Sequence, residues 1–162
     1  MDLGFWNGKN ILITGGTSFV GKNLVSKLNS LGTRYFTFGS AQYDLTDRVK
    51  AEELMQHEDK KYDFIIHMAA LQHAADWPYY HTAEQFDSNM LIHANTLYAW
   101  NKFQPQAKFI GIGSSCSYPG EIPVLQEEDF DQGPLHESVD SYGFTKKAIV
   151  VGLKAYKNQS KR

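Results

Sequence analysis

The sequence predicts an α/β protein with a parallel, doubly wound sheet between two layers of helices. Short apolar or β-branched runs alternate with helix-like segments, which is the pattern of parallel strands joined by right-handed crossovers. A glycine-rich turn directly follows the first of these runs. The 162 residues suit one core, because domains most often have about 100–150 residues, so we expect a single domain over residues 1–162.

The individual elements follow from local patterns. Residues 10–14 form a β-branched run that predicts the first strand, and apolar residues then recur at helical spacing as far as Gly32, a typical helix stop. Residues 34–38 predict a second strand, and the apolar run at 63–67 predicts a third, buried one. The remaining predicted elements are a polar helix at 48–57, a long helix at 83–103, a strand at 108–112 and a last helix at 142–157.

Composition and charge exclude several classes of function. The chain is 42% hydrophobic and 21% charged, which is typical of a folded protein, and its net charge of -2 gives no broad basic field for nucleic acid. It has no apolar run near the ~20 residues of a membrane span and no room for a signal-peptide core, which predicts a soluble, cytoplasmic protein. Because Cys116 is the single cysteine and the histidines lack ligand spacing, we predict no disulfide and no metal.

The glycine turn at residues 14–21 predicts a dinucleotide site. It lies between a strand and a helix, so the helix N-terminus would face the pyrophosphate. Gly15 would make the tight turn, and Gly21 would let the helix pack closely on the sheet. Ser18 stands where the pattern has its middle glycine, so we expect weaker or altered hydrogen bonding to the pyrophosphate. The alternative is a strand-to-helix turn that binds no ligand.

The end of the second strand favours NADP over NAD. Ser40 stands where an NAD-binding protein would have an acidic residue that binds the ribose 2′-hydroxyl. No arginine stands there either, and the candidates for a 2′-phosphate contact are Lys22, Arg34 and Arg48. Asp44 is expected near the adenine, whereas the neighbouring Asp47 is explained equally well as the N-cap of the next helix.

Tyr142 and Lys146 are the candidate proton-transfer pair. They are four residues apart and hence neighbours on one helix face, where a lysine ammonium would lower the pKa of the phenol and suit it to proton exchange with a carbonyl oxygen. Tyr98 and Lys102 share this spacing, but Tyr98 lies near the C-terminus of its predicted helix. Ligands bind beyond the carboxyl ends of parallel strands, which is the side on which Tyr142 starts its helix. We therefore interpret Tyr98 and Lys102 as a pair on the protein surface.

Hydroxyl groups and a thiol follow the strand at 108–112, at the same predicted sheet edge. Ser114 is placed to bind a substrate oxygen together with Tyr142. Cys116 is placed to exchange a proton with an acidic carbon. The alternative for Cys116 is a small, buried hydrophobic residue.

Taken together, these motifs resemble the extended short-chain dehydrogenase/reductases, the NAD-dependent epimerases and dehydratases. The features that carry the resemblance are the glycine turn, residues 67–70, Asn89, residues 114–119, and Tyr142 with Lys146. Within that family the chain most resembles the enzymes that epimerise C3 and C5 of GDP-4-keto-6-deoxymannose and then reduce its C4 keto group. The resemblance implies a Rossmann-like, three-layer α/β/α fold, a GDP-sugar substrate, and NADP as cofactor, with NAD as the alternative.

The resemblance also implies roles for individual residues. Ser114, Tyr142 and Lys146 would form the reductase triad, Lys146 would hold the nicotinamide ribose, and Cys116 would be one of two epimerisation acid/base groups. The implied cofactor contacts are Gly15, Thr17, Ser18, Phe19, Val20, Gly21, Ser40, Asp44, Leu45, Ala69, Ala70, Asn89, Tyr142 and Lys146.

Two departures from the family pattern bear on function. Residues 71–74 stand where family members usually have Val-Gly-Gly, so substrate or nicotinamide contacts are expected to differ. In the family, the histidine that partners the cysteine lies downstream of residue 162, with the last strands and the nucleotide-sugar domain. We therefore expect a truncated cofactor-binding half that acts as a homodimer or with a complementing C-terminal chain. The alternatives are a non-catalytic dinucleotide-binding fragment, and a different epimerase or reductase that uses only Ser114, Tyr142 and Lys146.

Overall fold

The computed structural model describes residues 3–56, 61–73 and 76–160. They contain four strands, β1 (Asn10–Thr14), β2 (Arg34–Thr37), β3 (Phe64–His67) and β4 (Lys108–Gly111). The α-helices are α1 (Phe19–Ser30), α2 (Arg48–Met55), α3 (Trp77–Tyr80), α4 (Thr82–Phe103) and α5 (Asp140–Ser160). Short 3-10 helices form at Leu3–Trp6, Ser115–Ser117 and Glu127–Asp131.

The chain divides into two compact units, of which the first holds the sheet. The first unit comprises Met1–Ala70 and Asn95–Ile112, and the second comprises Leu71–Ala94 and Gly113–Arg162. The helix α4 therefore contributes its first half to the second unit and its last residues to the first. The expectation of a single domain over residues 1–162 stays a prediction.

The sheet of the first unit is parallel throughout, with strand order β2-β1-β3-β4. The chain passes from β1 outwards to β2. It then crosses back over β1 to β3 and continues in the same direction to β4. Because such crossovers are right-handed, α1 covers one face of the sheet, and α2 and the end of α4 cover the other. The predicted Rossmann-like, doubly wound α/β fold is thus confirmed.

Each face of the sheet buries its own layer. Ile11 and Ile13 alternate along β1 and pack with Leu28 of α1 and with Ile66, all nearly inaccessible to solvent. On the opposite face the rings of Trp100 and Phe109 lie 5.0 Å apart between α4 and β4. The inner strand β3 is buried on both faces, with Ile65 and Ile66 0% and 7% exposed, as its apolar run predicted.

The helices α2 and α4 are held side by side by polar contacts on that second face. Asn95 Nδ2 donates to the carbonyl oxygens of Leu45 and Thr46, at 3.0 and 2.9 Å. Lys102 Nζ lies 3.0 Å from Glu52 Oε2. The Asn95 bonds fix the loop that precedes α2, and the Lys102 contact joins α4 to α2 itself.

The predicted elements are confirmed, with small differences at their ends. The helix expected at 48–57 ends at Met55, and His57 lies outside the described residues. The last helix begins at Asp140, two residues before the predicted start, and continues to Ser160. The short α3 and the three 3-10 helices were not predicted, because a single turn contains too few residues to show a period.

The second unit packs the start of α4 against α5. The rings of Phe86 and Phe144 lie 6.1 Å apart between the two helices. Pro119 and Leu135 form an isolated antiparallel bridge in the loop that leads into α5. Throughout the described residues, no helix combines the length and apolar character that crossing a bilayer demands.

Candidate active site

The glycine turn after β1 has the local geometry expected of a dinucleotide-binding turn. Gly15 adopts φ +75°, and a Cβ there would lie 2.8 Å from the backbone nitrogen of Ala69. A Cβ on Gly21 would overlap the carbonyl oxygen of Gly15. Both positions therefore require glycine, the first for its left-handed backbone and the second for close packing of α1 on the turn.

Ser18 caps the helix that begins in this turn. Its Oγ accepts a hydrogen bond from Gly21 N at 3.1 Å, and α1 starts at the next residue. The side chains of Phe19 and Val20 are 85% and 61% exposed, so the first turn of α1 presents its N-terminus to solvent. Because the cap engages one of the N–H groups that an anion would otherwise use, the prediction of altered pyrophosphate binding has a structural basis.

Thr14 joins the end of β3 to the glycine turn. Its hydroxyl lies 2.7 Å from His67 Nδ1 and accepts from the backbone nitrogens of Met68 and Ala69, at 3.2 and 3.1 Å. This network holds Ala69 against Gly15, so two of the predicted cofactor contacts come together at one edge of the sheet.

The three cationic candidates for a 2′-phosphate differ in their placement. Arg34 begins β2, at the opposite end of the strand from the turn, and its Nη2 donates to Gly8 O at 3.2 Å. The Arg48 guanidinium stacks 4.2 Å above the Tyr98 ring. Lys22 is exposed on the first turn of α1, so it is the candidate that lies beside the turn.

The carboxylates after β2 form local turns. Asp44 Oδ1 accepts from both the backbone nitrogen and the hydroxyl of Thr46, at 2.9 and 2.7 Å. Asp47 Oδ1 accepts from Val49 N at 2.7 Å, which confirms its alternative interpretation as the N-cap of α2. Leu45 is buried and Ser40 is exposed, and their cofactor contacts stay predictions.

In the second unit, the start of α5 abuts the 3-10 helix Ser115–Ser117. Ser114 caps that 3-10 helix, with its Oγ accepting from Cys116 N at 3.2 Å. A Cβ on Gly143 would overlap the carbonyl oxygen of Cys116, so only glycine allows this approach of the two backbones. The contact brings Cys116 and Tyr142 together.

Cys116 and Tyr142 line a common cavity of about 150 Å³. The other lining residues are Gln72, Pro78, Tyr79, Thr82, Gln85, Ser138, Val139 and Ser141. None of these side chains is a carboxylate, an ammonium or a guanidinium. The cavity therefore presents hydroxyl and amide groups beside the thiol and the phenol, and it suits a neutral, hydroxylated ligand.

Burial sets the protonation of Tyr142. Burial raises the pKa of Tyr142, and the electrostatic effect of the neighbouring Cys116 raises it further. The expectation that Lys146 would lower this pKa is wrong, because the desolvation of the phenolate dominates. Tyr142 therefore keeps its proton at neutral pH.

Lys146 is almost fully buried, with 3% of its surface exposed. Burial lowers its pKa to about 8, so the ammonium is still the major form at pH 7. Its Nζ lies 5.8 Å from the centroid of the Tyr142 ring. The predicted pair thus exists as neighbours on α5, with a neutral phenol beside a cation.

Ser114 lines a different cavity. This more open cavity of about 720 Å³ is bordered by Ser114, Ser115, Tyr118, and acidic residues of the 3-10 helix Glu127–Asp131. The structure places the Ser114 hydroxyl on the backbone of Cys116. The role of Ser114 in the triad stays a prediction.

Asn89 and Gln85 were not predicted to hold the segment after β3, although the structure gives them that role. Asn89 is fully buried, and its amide accepts from Leu71 N at 2.7 Å and donates to Leu71 O at 3.0 Å. Gln85, one helical turn earlier, donates to Gln72 Oε1 at 2.6 Å. The only signal in the sequence is the four-residue spacing of two amides on α4. The predicted cofactor contact of Asn89 stays a prediction.

His93 is a further buried residue, and the sequence analysis gave it no role. It is 2% exposed, and burial lowers its pKa to about 3, with the Lys146 charge as the smaller cause. His93 is therefore neutral near pH 7 beside the Lys146 ammonium.

Among the described residues, no three histidine, cysteine or acidic side chains lie close enough together to bind a metal ion.

Comparison with known proteins gives one family and several relatives. Residues 11–162 match the model of the NAD dependent epimerase/dehydratase family. A probable GDP-L-fucose synthase of Drosophila melanogaster is 29% identical over 152 residues, which are 91% of this chain and 46% of that protein. A GDP-L-colitose synthase of Yersinia pseudotuberculosis is 28% identical over 137 residues, 84% of this chain and 44% of that protein.

A solved structure shares the fold. The GDP-L-fucose synthetase of Naegleria fowleri bound to NADP superimposes with a TM-score of 0.78 at 24% identity, over 94% of this chain and 45% of that one. The chain thus spans slightly less than half the length of the relatives that it matches.

Proposed function

Because the chain belongs to the NAD-dependent epimerase/dehydratase family, as its motifs led us to expect, we propose that it epimerises and reduces a GDP-linked 4-keto sugar. GDP-L-fucose synthase, the name carried by several of its relatives, is the specific form of this proposal. The observation that carries it is the small neutral cavity that joins the Cys116 thiol to the Tyr142 phenol.

The residues of the first unit fit a dinucleotide. Gly15 and Gly21 allow the tight turn and the close approach of α1 to it, and the residues at the N-terminus of α1 are exposed. Thr37 Oγ1, at the end of β2, is buried without a hydrogen-bond partner among the described residues. NADP bound to these residues supplies the hydride for reduction, and Lys22 is the candidate for its 2′-phosphate, with NAD as the alternative cofactor.

Tyr142 serves as the acid of the reduction. Its raised pKa keeps the hydroxyl protonated at neutral pH, so it donates that proton to the oxygen on which negative charge develops at C4. The ammonium of Lys146, on the next turn of α5, offsets part of the desolvation of the phenolate left behind, although burial keeps the net pKa of Tyr142 raised. The low pKa of Lys146 does not prevent this, because the ammonium predominates at pH 7.

Cys116 serves in the epimerisation. Protons on the carbons that flank a keto group are acidic, and a thiolate is a suitable base for them. Cys116 shares the cavity with Tyr142, so one bound sugar ring would lie against both groups, with a flanking carbon at the thiol and the C4 oxygen at the phenol. Proton exchange at the flanking carbons precedes reduction, because reduction removes the keto group that makes those protons acidic.

Deuterium exchange and NADPH oxidation test these roles separately. The chain is incubated with GDP-4-keto-6-deoxymannose and NADPH in deuterated water. We expect Tyr142→Phe to abolish NADPH oxidation and Cys116→Ser to abolish deuterium incorporation, with NADPH still bound by both variants. Tyr98→Phe is the matched control, since Tyr98 has the same spacing to Lys102 but lies outside the cavity.

Two outcomes would contradict the proposal. A wild-type chain that binds NADPH and the sugar nucleotide but neither exchanges nor reduces it would leave only a dinucleotide-binding module. Deuterium incorporation that survives Cys116→Ser would remove the thiol from the reaction and leave a reductase that relies on Tyr142 and Lys146.

The proposal includes a homodimer built on α4 and α5. Phe144 is 52% exposed although its ring lies beside Phe86, so these helices present apolar surface that a second copy would cover. Sedimentation equilibrium of the chain and of Phe144→Asp tests this, because the charge should shift the chain to the monomer. An unchanged mass for the variant would place the contact elsewhere.

A further inference from the structure

A run of amide hydrogen bonds holds the segment after β3 against α4. Asn89 fixes both backbone groups of Leu71, at 2.7 and 3.0 Å. Gln85 adds a bond of 3.4 Å from its Nε2 to the same carbonyl oxygen. Since Gln85 and Asn89 lie one helical turn apart, they grip the segment from a single face of α4.

Gln85 extends this run to the side chain of Gln72. Gln85 is 2% exposed, and its second N–H donates to Gln72 Oε1 at 2.6 Å. That bond fixes the carbonyl end of the Gln72 amide. Among the described residues, the NH2 end makes one marginal contact, 3.5 Å to His73 O, so it remains available as a donor.

Gln72 and Gln85 both line the cavity that contains Cys116 and Tyr142. The cavity holds about 150 Å³, below the about 300–1,000 Å³ of pockets that enclose a drug-sized molecule, so it takes one ring rather than a whole sugar nucleotide. Its polar lining is neutral throughout. A phosphate or a carboxylate would find no cation among the lining residues, whereas a ring hydroxyl would find amides and hydroxyls.

We infer that Gln72 is a specificity-determining residue whose amide NH2 donates to a hydroxyl oxygen of the sugar ring, and that Gln85 is its positioning residue. This inference rests on the proposed function, because it assumes that the keto ring lies against Tyr142 and Cys116. Gln72 lies in the segment after β3, and it places an amide donor in the cavity beside Tyr142 and Cys116.

Substitution of Gln72 should affect substrate binding more than the chemical step. The Gln72→Leu variant keeps the size of the side chain but loses the donor. We expect the KM and the Kd of the sugar nucleotide to rise about tenfold, as for the loss of one hydrogen bond, while kcat stays within about twofold. Gln85→Leu should raise the same constants, because it releases the Gln72 amide.

The experiment measures four quantities for the wild type, Gln72→Leu, Gln72→Glu and Gln85→Leu. They are the Kd of GDP-4-keto-6-deoxymannose by calorimetry, the Kd of NADPH by fluorescence, and kcat and KM from steady-state kinetics. Gln72→Glu is informative because it keeps the acceptor and the length but removes the NH2 donor, so it should also weaken sugar binding. Gln159→Leu is the control, since Gln159 is exposed near the end of α5.

The outcomes separate this inference from the proposed function. Absent turnover by the wild type would refute the proposed function, while calorimetry would still show whether Gln72→Leu weakens binding of the sugar nucleotide. Sugar Kd and KM values unchanged in Gln72→Leu would overturn the inference. An NADPH Kd that rises as much as the sugar Kd would also overturn it, because Gln72 would then contact the nicotinamide.

Discussion

The buried ammonium of Lys146 should lower the stability of the fold, and Lys146→Met would measure by how much. The ordinary pKa of a lysine is 10.5, and burial lowers that of Lys146 to about 8. A difference of about 2.5 units corresponds to about 3.4 kcal/mol at 1.36 kcal/mol per unit. Methionine keeps the length of the side chain, and the lost polar contacts of the ammonium offset about 1 kcal/mol. We therefore expect the free energy of unfolding at pH 7 to rise by about 2 kcal/mol.

The sign of the pH dependence gives a second, independent check. The unfolded chain holds the Lys146 proton more tightly than the folded chain does, so the penalty is complete below pH 8. As the pH rises from about 8 to 10.5, the folded state loses the proton first and the wild type gains stability. The variant has no such group, and its advantage should disappear across this window.

Urea denaturation followed by circular dichroism at pH 7, 8, 9 and 10 measures both effects. The matched control is Lys147→Met, which removes an ammonium that lies 3.0 Å from Asp131 Oδ1 and donates to Phe130 O at 2.8 Å. This control should not gain stability at pH 7, because its ammonium is already paired and its partners are partly exposed. The reasoning is refuted if Lys146→Met is no more stable than the wild type at pH 7, or if its gain persists unchanged at pH 10.

Two further predictions follow from buried or strained positions. Since the pKa of His93 is about 3 when folded and 6.5 when unfolded, the wild type should lose stability as the pH falls below 6.5, by about 1.4 kcal/mol per pH unit. His93→Leu should lack this slope in acid denaturation, and equal slopes would contradict the assignment. Gly15→Ala should destabilise more than Gly8→Ala in thermal melts, because both have left-handed φ but only Gly15 lies against Ala69. Equal losses would show that the close approach contributes nothing.

The sheet and its helices were predictable because each leaves a local signal. The strands β1 and β3 are apolar runs buried between neighbours, and Gly32, at φ +66°, marks the end of α1 as its position predicted. The single turns of α3 and of the 3-10 helices leave no periodic signal, so they were missed. Their positions depend on tertiary contacts instead.

The candidate site was predictable only in part. Cys116 was identified because it follows a strand, and Tyr142 because it begins a helix, both at the expected edge of the sheet. The structure places the two side chains in one cavity. The pKa direction of Tyr142 was wrong because helical spacing shows which residues are neighbours but does not show how far they are desolvated. Gln72 and Gln85 were missed because their pairing joins a loop to a helix thirteen positions along the chain.

Gly143 has a consequence for how substrate preference can change. The main chain at Cys116 rests directly on the first turn of α5, so the spacing between thiol and phenol is independent of any side chain in the wall. Under the proposed function, wall positions such as Gln72 and Tyr79 can therefore vary to accept other sugars without separating the thiol from the phenol. Position 143 cannot vary in this way. We expect selection for new substrates to change the residues that line the cavity while Gly143 is retained.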